Sequence, residues 1–395
     1  MRFSLCAVVL FLWLVPWQKT EAGELTGYVA VEHRQFFHTH PFPEQKNGSV
    51  PSYIFEPEYY HASEDRKHSF VAKVFLRYDP SDSERTHVDI RQWDWSYRAS
   101  RDWEIRLGIS RVFWGVAESR HLVDNINQVD AIEDIDDEDR FGMPMLQLIR
   151  AHASGSLLFM YLPYFRERPF PGRTGRVRDA FVIDTHDALY AVDEEEFYPN
   201  VAIRYEHVIG FWDIGIAQFH GIGREPRIQF LQGRLVPFYE TIHDTSLNAQ
   251  YTEDAWLWKL EGLYRRGQGR PFFAFTAGVE YTFFGLYEGA HDLGMLAEYH
   301  YDGRDSTAPA VPFDRDVFVG LRYAFNDVAD TTFLGGVTLD MAGDGIFTNI
   351  EVARRLTEHW KIEFDMRLFG DLDDDTRFSF LNREDYAQLR LSYFF

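Results

Sequence analysis

Apolar and polar residues alternate over long stretches of this chain, and this pattern limits the folds that the chain can adopt. In residues 360–368 (WKIEFDMRL), five apolar side chains between Trp360 and Leu368 alternate with four charged ones. Because successive side chains of a β-strand point to opposite faces, the segment predicts a strand with one apolar and one charged face. Similar alternation recurs in the segments 256–264, 273–283 and 317–325. An all-β fold is therefore predicted.

The length of the alternating segments distinguishes the two architectures that such strands can build. A soluble sandwich buries the apolar faces between two sheets, whereas a transmembrane barrel turns them to lipid and keeps polar groups inside. The segments are about 9–12 residues long, which suits a tilted membrane-spanning strand, while soluble strands average about five or six. No run after residue 22 is long and apolar enough for a transmembrane helix. The sequence thus predicts a transmembrane antiparallel β-barrel of the outer-membrane type.

The first 22 residues are predicted to be a signal peptide. They contain Arg2, an apolar run from Ala7 to Trp17, and a small residue, Ala22, at the expected cleavage site. An uncleaved membrane anchor is the alternative, but the run is short for a membrane span. The signal peptide is favoured, and it leaves residues 23–395 as the barrel.

The last ten residues, YAQLRLSYFF, form an alternating pattern that ends on an aromatic residue. Leu391, Tyr393 and the terminal Phe395 share its apolar face. A closing strand of this kind resembles the assembly signal of bacterial outer-membrane barrels. The resemblance implies contact with the barrel-assembly machinery and residence in the outer membrane of a bacterial cell.

Counting the alternating segments predicts about 18 strands, with 16 as the alternative, since bacterial barrels have even numbers. The segment 51–61 is the weakest, because Pro51 and Pro57 cannot donate to a strand ladder. The predicted strands are 24–36, 51–61, 67–78, 86–97, 102–113, 145–153, 155–164, 199–208, 211–220, 244–252, 255–265, 271–283, 291–301, 314–325, 331–341, 345–355, 359–369 and 385–395. The long connections, all expected to be extracellular, are 37–50, 114–144, 165–198, 221–243, 302–313 and 370–384.

The connection 114–144 is the third extracellular loop on this count, and in general porins that loop folds inward and narrows the pore. It carries nine acidic residues against two arginines, and its stretch 119–128 is predicted to form a helical turn or two, with Leu122 and Ile126 on one side. We interpret it as a constriction loop; a solvated outer loop that binds divalent ions between lipopolysaccharide head groups is the alternative. The candidate constriction residues are Glu118, Arg120, Asp124, Asp130, Glu133, Asp134, Asp136 and Asp137.

Charged residues on the polar strand faces are predicted to line the lumen. An acidic loop opposite a basic wall would set up a transverse field across a narrow pore. Alternatively, the wall charges pair across strands and stabilise the lumen. Their signs are mixed, so no strong ion selectivity follows from them. The candidate wall residues are Lys73, Arg77, Arg91, Arg106, Lys361, Asp365, Arg367 and Arg390.

Four stretches carry a resemblance to known proteins: FWGVAESRHLVDNINQVD at 113–130, EPEYY at 56–60, DSERTHVDIR at 82–91 and GREP at 223–226. Together they resemble an uncharacterised group of proteobacterial outer-membrane, porin-like β-barrel proteins. The resemblance implies an outer-membrane barrel, a channel and no catalytic residues, and it supplies no substrate.

Several function classes conflict with the composition. The formal net charge of −22 disfavours nucleic-acid binding, and the single cysteine, Cys6, lies in the predicted signal peptide. Neither a G-x-S-x-G nor an H-E-x-x-H motif is present, so we expect no enzymatic activity, no cofactor and no metal. His38 and His40 lie two residues apart but lack a third ligand, so we interpret them as loop histidines. The basic segment 166–179 is interpreted as a solvated loop, with contact to lipopolysaccharide phosphates as the alternative.

We therefore predict an outer-membrane channel for passive diffusion of small hydrophilic solutes, narrowed by loop 114–144. A barrel occluded by its loops, serving binding, adhesion or envelope assembly, is the alternative, and an outer-membrane enzyme is a third. The expected partners are membrane lipid, lipopolysaccharide, the barrel-assembly machinery and a small hydrophilic solute.

Overall fold

The computed structural model describes residues 23–46, 50–372 and 378–395. Eighteen strands of this part form one antiparallel sheet that closes on itself, because β1 (Glu24–Phe36) pairs with both β2 (Ser52–Ala62) and β21 (Tyr386–Phe394). The predicted 18-stranded barrel is confirmed. The predicted signal peptide, residues 1–22, lies outside the described residues.

Each remaining barrel strand pairs with the barrel strands before and after it, so the sheet has no free edge. Closure of this kind satisfies the backbone hydrogen bonds that lipid could not. These strands are β3 (His68–Tyr78), β4 (His87–Arg98), β5 (Trp103–Ser110), β6 (Met143–His152), β7 (Gly155–Leu162), β9 (Asn200–Ile209), β10 (Trp212–Ile222), β13 (Thr241–Glu253), β14 (Trp256–Gly267), β15 (Gly269–Gly285), β16 (His291–Asp302), β17 (Arg315–Ala324), β18 (Thr332–Asp340), β19 (Ile346–Arg355) and β20 (Trp360–Gly370).

The two faces of the sheet differ as the alternation requires. On β14, Trp258 is 51% exposed on the outer face, whereas Glu261 on the inner face is fully buried. On β20, Trp360 is 40% exposed and Arg367 is 5% exposed. The outer face is thus an apolar surface suited to lipid, and the inner face carries buried charge.

Long connections at one end of the barrel alternate with short turns at the other. The long connections 163–199 and 223–240 hold a small sheet that the sequence analysis missed, made of β8 (Leu189–Tyr190), β11 (Arg227–Leu231) and β12 (Arg234–Tyr239). These strands are too short to show a periodic pattern. They lie at the end of the barrel that carries the long loops.

Helical structure in the described ranges is confined to three short segments, at Glu195–Phe197, Leu286–Gly289 and Ser379–Arg383. The second is a tight turn in which Tyr287 and Glu288 have positive φ angles. No helix in the part of the chain that the structure describes is long and apolar enough to cross a membrane.

Candidate functional site

The connection between β5 and β6, residues 111–142, lies inside the barrel. It begins earlier than the predicted 114–144, because the backbone leaves the sheet after Ser110 and the N–H of Val112 donates to Asn127 Oδ1 at 3.0 Å. Val123 and Ile126 are fully buried. They pack in an apolar cluster with inward-facing residues of five strands: Met143, Met145, Met160, Leu162, Ala202, Ala217, Phe219 and Ile242. This loop, called the lumen loop below, therefore has an apolar anchor on the wall formed by β6 to β13.

Two glutamates of the wall hold the backbone of the lumen loop. Glu261 on β14 accepts hydrogen bonds from the N–H groups of Val116 (2.6 Å), Ala117 (2.9 Å) and Val123 (3.2 Å). Glu298 on β16 accepts two more, from the N–H groups of residues 118 and 119. The predicted helical turn or two at 119–128 is wrong, because the segment contains no helix: it makes one tight turn, in which the Asp124 N–H donates to the His121 carbonyl at 3.3 Å, and nearby backbone donors bind wall carboxylates.

Ion pairs fasten the same end of the lumen loop to β16 and β17. Arg120 lies 2.6 Å from Asp302, and Glu118 lies 2.6 Å from Arg322. Asn125 adds a 2.6 Å hydrogen bond to Asp244 on β13.

The middle of the lumen loop binds the opposite side of the barrel. Asp130 pairs with Arg91 on β4 at 2.7 Å, and Glu133 pairs with Arg77 on β3 at 2.5 Å. Both arginines are almost fully buried. The Arg34 side chain on β1 donates to the Glu133 carbonyl at 2.9 Å.

The acidic run that follows meets β20 and β21. Arg367 lies 3.3 Å from Asp134 and 3.0 Å from Asp136, and the Tyr386 hydroxyl donates to Asp134 at 2.8 Å. Burial opposes ionisation of Asp134, but Arg367 and Arg34 outweigh it and hold the pKa of Asp134 below its usual value. Burial and the neighbouring Asp134 charge raise the pKa of Asp136 well above its usual value.

The remaining candidate constriction residues are paired as well. Asp124 lies 3.3 Å from Arg140, and Asp137 lies 2.7 Å from Arg168 of the 163–199 connection. Burial raises the pKa of Asp124, and Arg140 only partly offsets it. Basic partners thus offset much of the acidic excess seen in the loop sequence, so the sequence alone overstates its free negative charge.

The candidate wall residues also have partners in the lumen loop, in a neighbouring strand or, for Arg106 and Lys361, two residues away on the same strand. This arrangement matches the alternative in which wall charges pair and stabilise the lumen. In addition to Arg77, Arg91 and Arg367, the pairs are Lys73 with Glu58 (2.7 Å), Arg106 with Glu104 (3.1 Å), Lys361 with Glu363 (2.7 Å), Asp365 with Gln388 (3.2 Å) and Arg390 with Glu32 (2.6 Å).

The basic segment 166–179 folds over the barrel mouth, and the interpretation of a solvated loop is wrong for most of its arginines. Arg176 and Arg178 are buried. Three of its arginines form ion pairs with carboxylates from other parts of the chain. Asp89 binds Arg166, Asp137 binds Arg168 and Glu384 binds Arg176.

A cavity of about 800 Å³ remains between the lumen loop and the wall of β17 to β20. It extends from Phe181 and Phe230 in the outer connections to Leu334 and Glu351 on the wall. Among the described residues, the lumen loop makes no hydrogen bond or ion pair to β18 or β19, although it is fastened on both sides of them. The cavity therefore follows the arc of wall that the loop leaves free.

Glycine shapes this arc of the wall. The ring of Phe318 on β17 lies over Gly336 on β18, where a Cβ atom would come within 2.2 Å of the ring. Any larger residue at 336 would push the ring into the cavity.

No family model matches the chain, and no curated protein matches it. Among solved structures, it is similar to Wzi of Escherichia coli, an outer-membrane protein involved in group 1 capsule assembly and described as a carbohydrate-binding β-barrel. The TM-score is 0.56 with 9% identity, and the match covers 94% of this chain and 84% of Wzi. The fold is that of an outer-membrane β-barrel.

This barrel is also similar to a mutant of the Rh. blastica porin, with a TM-score of 0.46, 13% identity and coverage of 95% and 100% of the two chains. OmpT of Vibrio cholerae gives a TM-score of 0.42, 8% identity and coverage of 96% and 99%. The narrower resemblance to the proteobacterial porin-like group stays a prediction.

The predicted assembly-signal residues lie on or next to the last strand of the barrel. Leu391 and Phe395 are 37% and 43% exposed on the outer surface. The Tyr393 ring packs against Trp360 with centroids 5.1 Å apart. Their role in assembly stays a prediction.

Sequence reasoning did not identify the residues that receive the lumen loop. Glu261, Glu298, Asp244 and Asp302 are not among the candidate residues predicted from the sequence. Their signal is an acid at an inward-facing position of a strand, which resembles any other lumen charge until the partner loop is placed.

Proposed function

We propose that this barrel is a narrow channel through which small hydrophilic solutes diffuse passively along the inner wall of β18 and β19. The observation that carries the proposal is the cavity along this arc, which reaches from the outer connections to the middle of the wall. A loop fastened on the other sides of the lumen leaves this arc as the path for a solute.

The path combines polar groups with aromatic rings. Thr338, Asn349 and Glu351 line the wall side together with Phe318 and Phe347. A small polar solute can exchange part of its hydration for these fixed groups, and the narrow cross-section excludes larger ones. Diffusion down a gradient needs no energy source and no cofactor.

Single-channel conductance in a planar bilayer tests the proposal. The variant Asn349→Trp places a large ring in the path and should reduce the conductance of the wild-type barrel to roughly half or less. Leu339→Trp, on the outer face of β18, is the matched control and should leave conductance unchanged. A wild-type barrel with no conductance, or an Asn349→Trp variant that conducts normally, would contradict the channel.

A carbohydrate-binding barrel, occluded by its loops, is the second candidate. The dense fastening of the lumen loop and the phenylalanines of the cavity, which could stack on sugar rings, favour it. The similarity to Wzi supports only the shared architecture. This candidate predicts a wild-type barrel that lacks conductance but binds an oligosaccharide saturably in calorimetry.

An enzyme is not proposed, although one serine and histidine lie close together. Ser119 Oγ is 2.9 Å from His300 Nε2 and 2.6 Å from a Glu298 carboxylate oxygen. The Ser119 hydroxyl donates its one hydrogen bond to the Glu298 carboxylate. His300 Nε2 must therefore donate to Ser119 Oγ, and it is not free to act as a base.

A further inference from the structure

One histidine of the wall faces two carboxylates of the lumen loop. His87 is the first residue of β4, and its Nε2 lies 3.2 Å from Asp130 Oδ2 and 3.9 Å from Glu133 Oε1. One ligand atom from each of the three residues lies within 4.8 Å of those from the other two. Asp130 is fully buried and Glu133 is 4% exposed.

The hydrogen bonds of His87 set the position of its proton. Nδ1 lies 3.0 Å from the carbonyl oxygen of Arg85, and a carbonyl only accepts, so Nδ1 carries the hydrogen. In the neutral ring, Nε2 then presents a lone pair to the Asp130 carboxylate. Two acceptors cannot face each other at this distance, so either Nε2 carries a second proton or a metal cation lies between the two atoms. Metal-binding histidines commonly donate their other ring N–H to a backbone carbonyl in this way.

The two carboxylates also keep unused oxygens. Arg91 binds Asp130 Oδ2, and Arg77 binds Glu133 Oε2. Asp130 Oδ1 and Glu133 Oε1 are buried and have no hydrogen-bond partner. Buried carboxylate oxygens without donors are uncommon and call for an explanation such as a bound ion.

We propose that His87, Asp130 and Glu133 bind a divalent transition-metal ion of the Zn²⁺ class, which ties the lumen loop to β4. One imidazole nitrogen with two carboxylate oxygens suits Zn²⁺ better than Ca²⁺, which takes oxygen ligands only. The guanidinium groups of Arg77 and Arg91 bind the other oxygens of the carboxylates and would hold the two ligands in position around the ion.

A cation has access to this site, within a network of balanced charge. A small cavity of about 70 Å³ touches Glu133 and Arg85 and is also lined by Lys46 and Val50 near the outer surface. Among the described residues, six carboxylates and six arginines form the surrounding network, so their formal charges balance: Glu32, Asp79, Asp89, Asp130, Glu133 and Asp139 with Arg34, Arg77, Arg85, Arg91, Arg166 and Arg390.

Calorimetric titration of the full-length barrel, stripped with EDTA in detergent, tests the site with ZnCl2 and CaCl2 as probes. We expect one Zn²⁺ per chain, with an affinity reduced at least about tenfold in His87→Gln, and much weaker binding of Ca²⁺. His38→Gln is the matched control, because His38 also lies beside a carboxylate, Asp385 at 3.1 Å, but pairs with no second carboxylate among the described residues. The control should bind Zn²⁺ like the wild type.

Zn X-ray absorption on the wild-type protein gives a result that does not depend on a variant folding. One nitrogen at about 2.0–2.1 Å with oxygens at about 2.0–2.2 Å supports the site. The absence of saturable Zn²⁺ binding would overturn it, as would a spectrum with two or more imidazoles or an affinity unchanged in His87→Gln. In that case a protonated His87, with hydrogen on Nε2, would donate to Asp130 in place of the metal ion.

Discussion

At the scale of single residues, the face on which a side chain lies decides its environment. Phe364 and Asp365 are neighbours on β20, yet one belongs to the outer face and the other hydrogen-bonds Gln388 inside the lumen. A register slip by one residue would exchange these environments.

Phe364→Arg should therefore be much more harmful than Asp365→Arg. An arginine near the bilayer midplane costs about 2–4 kcal/mol, whereas the lumen already holds arginines beside position 365. Denaturant unfolding of both variants in lipid vesicles gives the comparison. Equal losses of stability would show that the register of β20 is wrong.

A second prediction at the residue scale concerns Asp139 and the pH dependence of the unfolding free energy. Burial and the nearby charge of Glu133 raise the pKa of Asp139 to about 6 in the folded protein. Because the folded state binds this proton more tightly than the unfolded state, the stability that Asp139 contributes is present at pH values below about 4 and is lost as the pH rises through 6.

Asp139→Asn should remove this loss. Its unfolding free energy relative to wild type should increase between pH 4 and 6 and then level off, with an upper bound of about 3 kcal/mol. Denaturant titrations across this pH range measure it, with exposed Asp344→Asn as the control. A difference that does not vary with pH would refute the assignment.

At the scale of elements, wall carboxylates accept backbone hydrogen bonds of the lumen loop, as main-chain carbonyl groups do for the neighbouring strand in a sheet. Glu261 receives three backbone donors from one segment of the loop. A hydrogen bond to a charged group contributes about 1.5–3 kcal/mol, so this one side chain can hold a segment that has no secondary structure.

Glu261→Ala should free the start of the lumen loop without opening the barrel. The expected result is higher single-channel conductance with larger fluctuations, because the loop no longer keeps one position. Glu253→Ala, at the last residue of β13, removes an exposed carboxylate that binds only Tyr251 in the described structure and should change nothing. Identical traces for the two variants would mean that the loop does not depend on Glu261.

At the scale of the whole molecule, closure of the sheet does not depend on the lumen loop. The 18-stranded ladder closes through β1 and β21 without any contribution from residues 111–142. Shortening the loop therefore should leave a barrel that assembles, while the wall charges that it covered become hydrated.

Deletion of residues between Val116 and Phe141 should raise the conductance. Neutralising Glu133, Asp134, Asp136 and Asp137 together should shift ion selectivity toward anions only weakly, because arginines already pair with these acids. Reversal potentials and heat-modifiable gel migration provide the measurement and the folding control. Unchanged conductance in a correctly assembled deletion variant would refute the lumen loop as the gate.

The sequence by itself determined the barrel, because alternation is a local property that each strand carries within about ten residues. The faces of β14 and β20 and the long connections were predictable from it, whereas the even strand number came from the general rule for bacterial barrels. The small sheet of β8, β11 and β12 was not, since strands of two to six residues show no period.

Only the tertiary structure decided what fills the lumen. Val116 and Glu261 are 145 residues apart in the chain, and Asp134 and Arg367 are 233 apart. Such pairs meet only after β1 closes on β21, which places walls from distant parts of the chain around one loop. The charges were visible in the sequence, but their partners depend on the closure of the barrel.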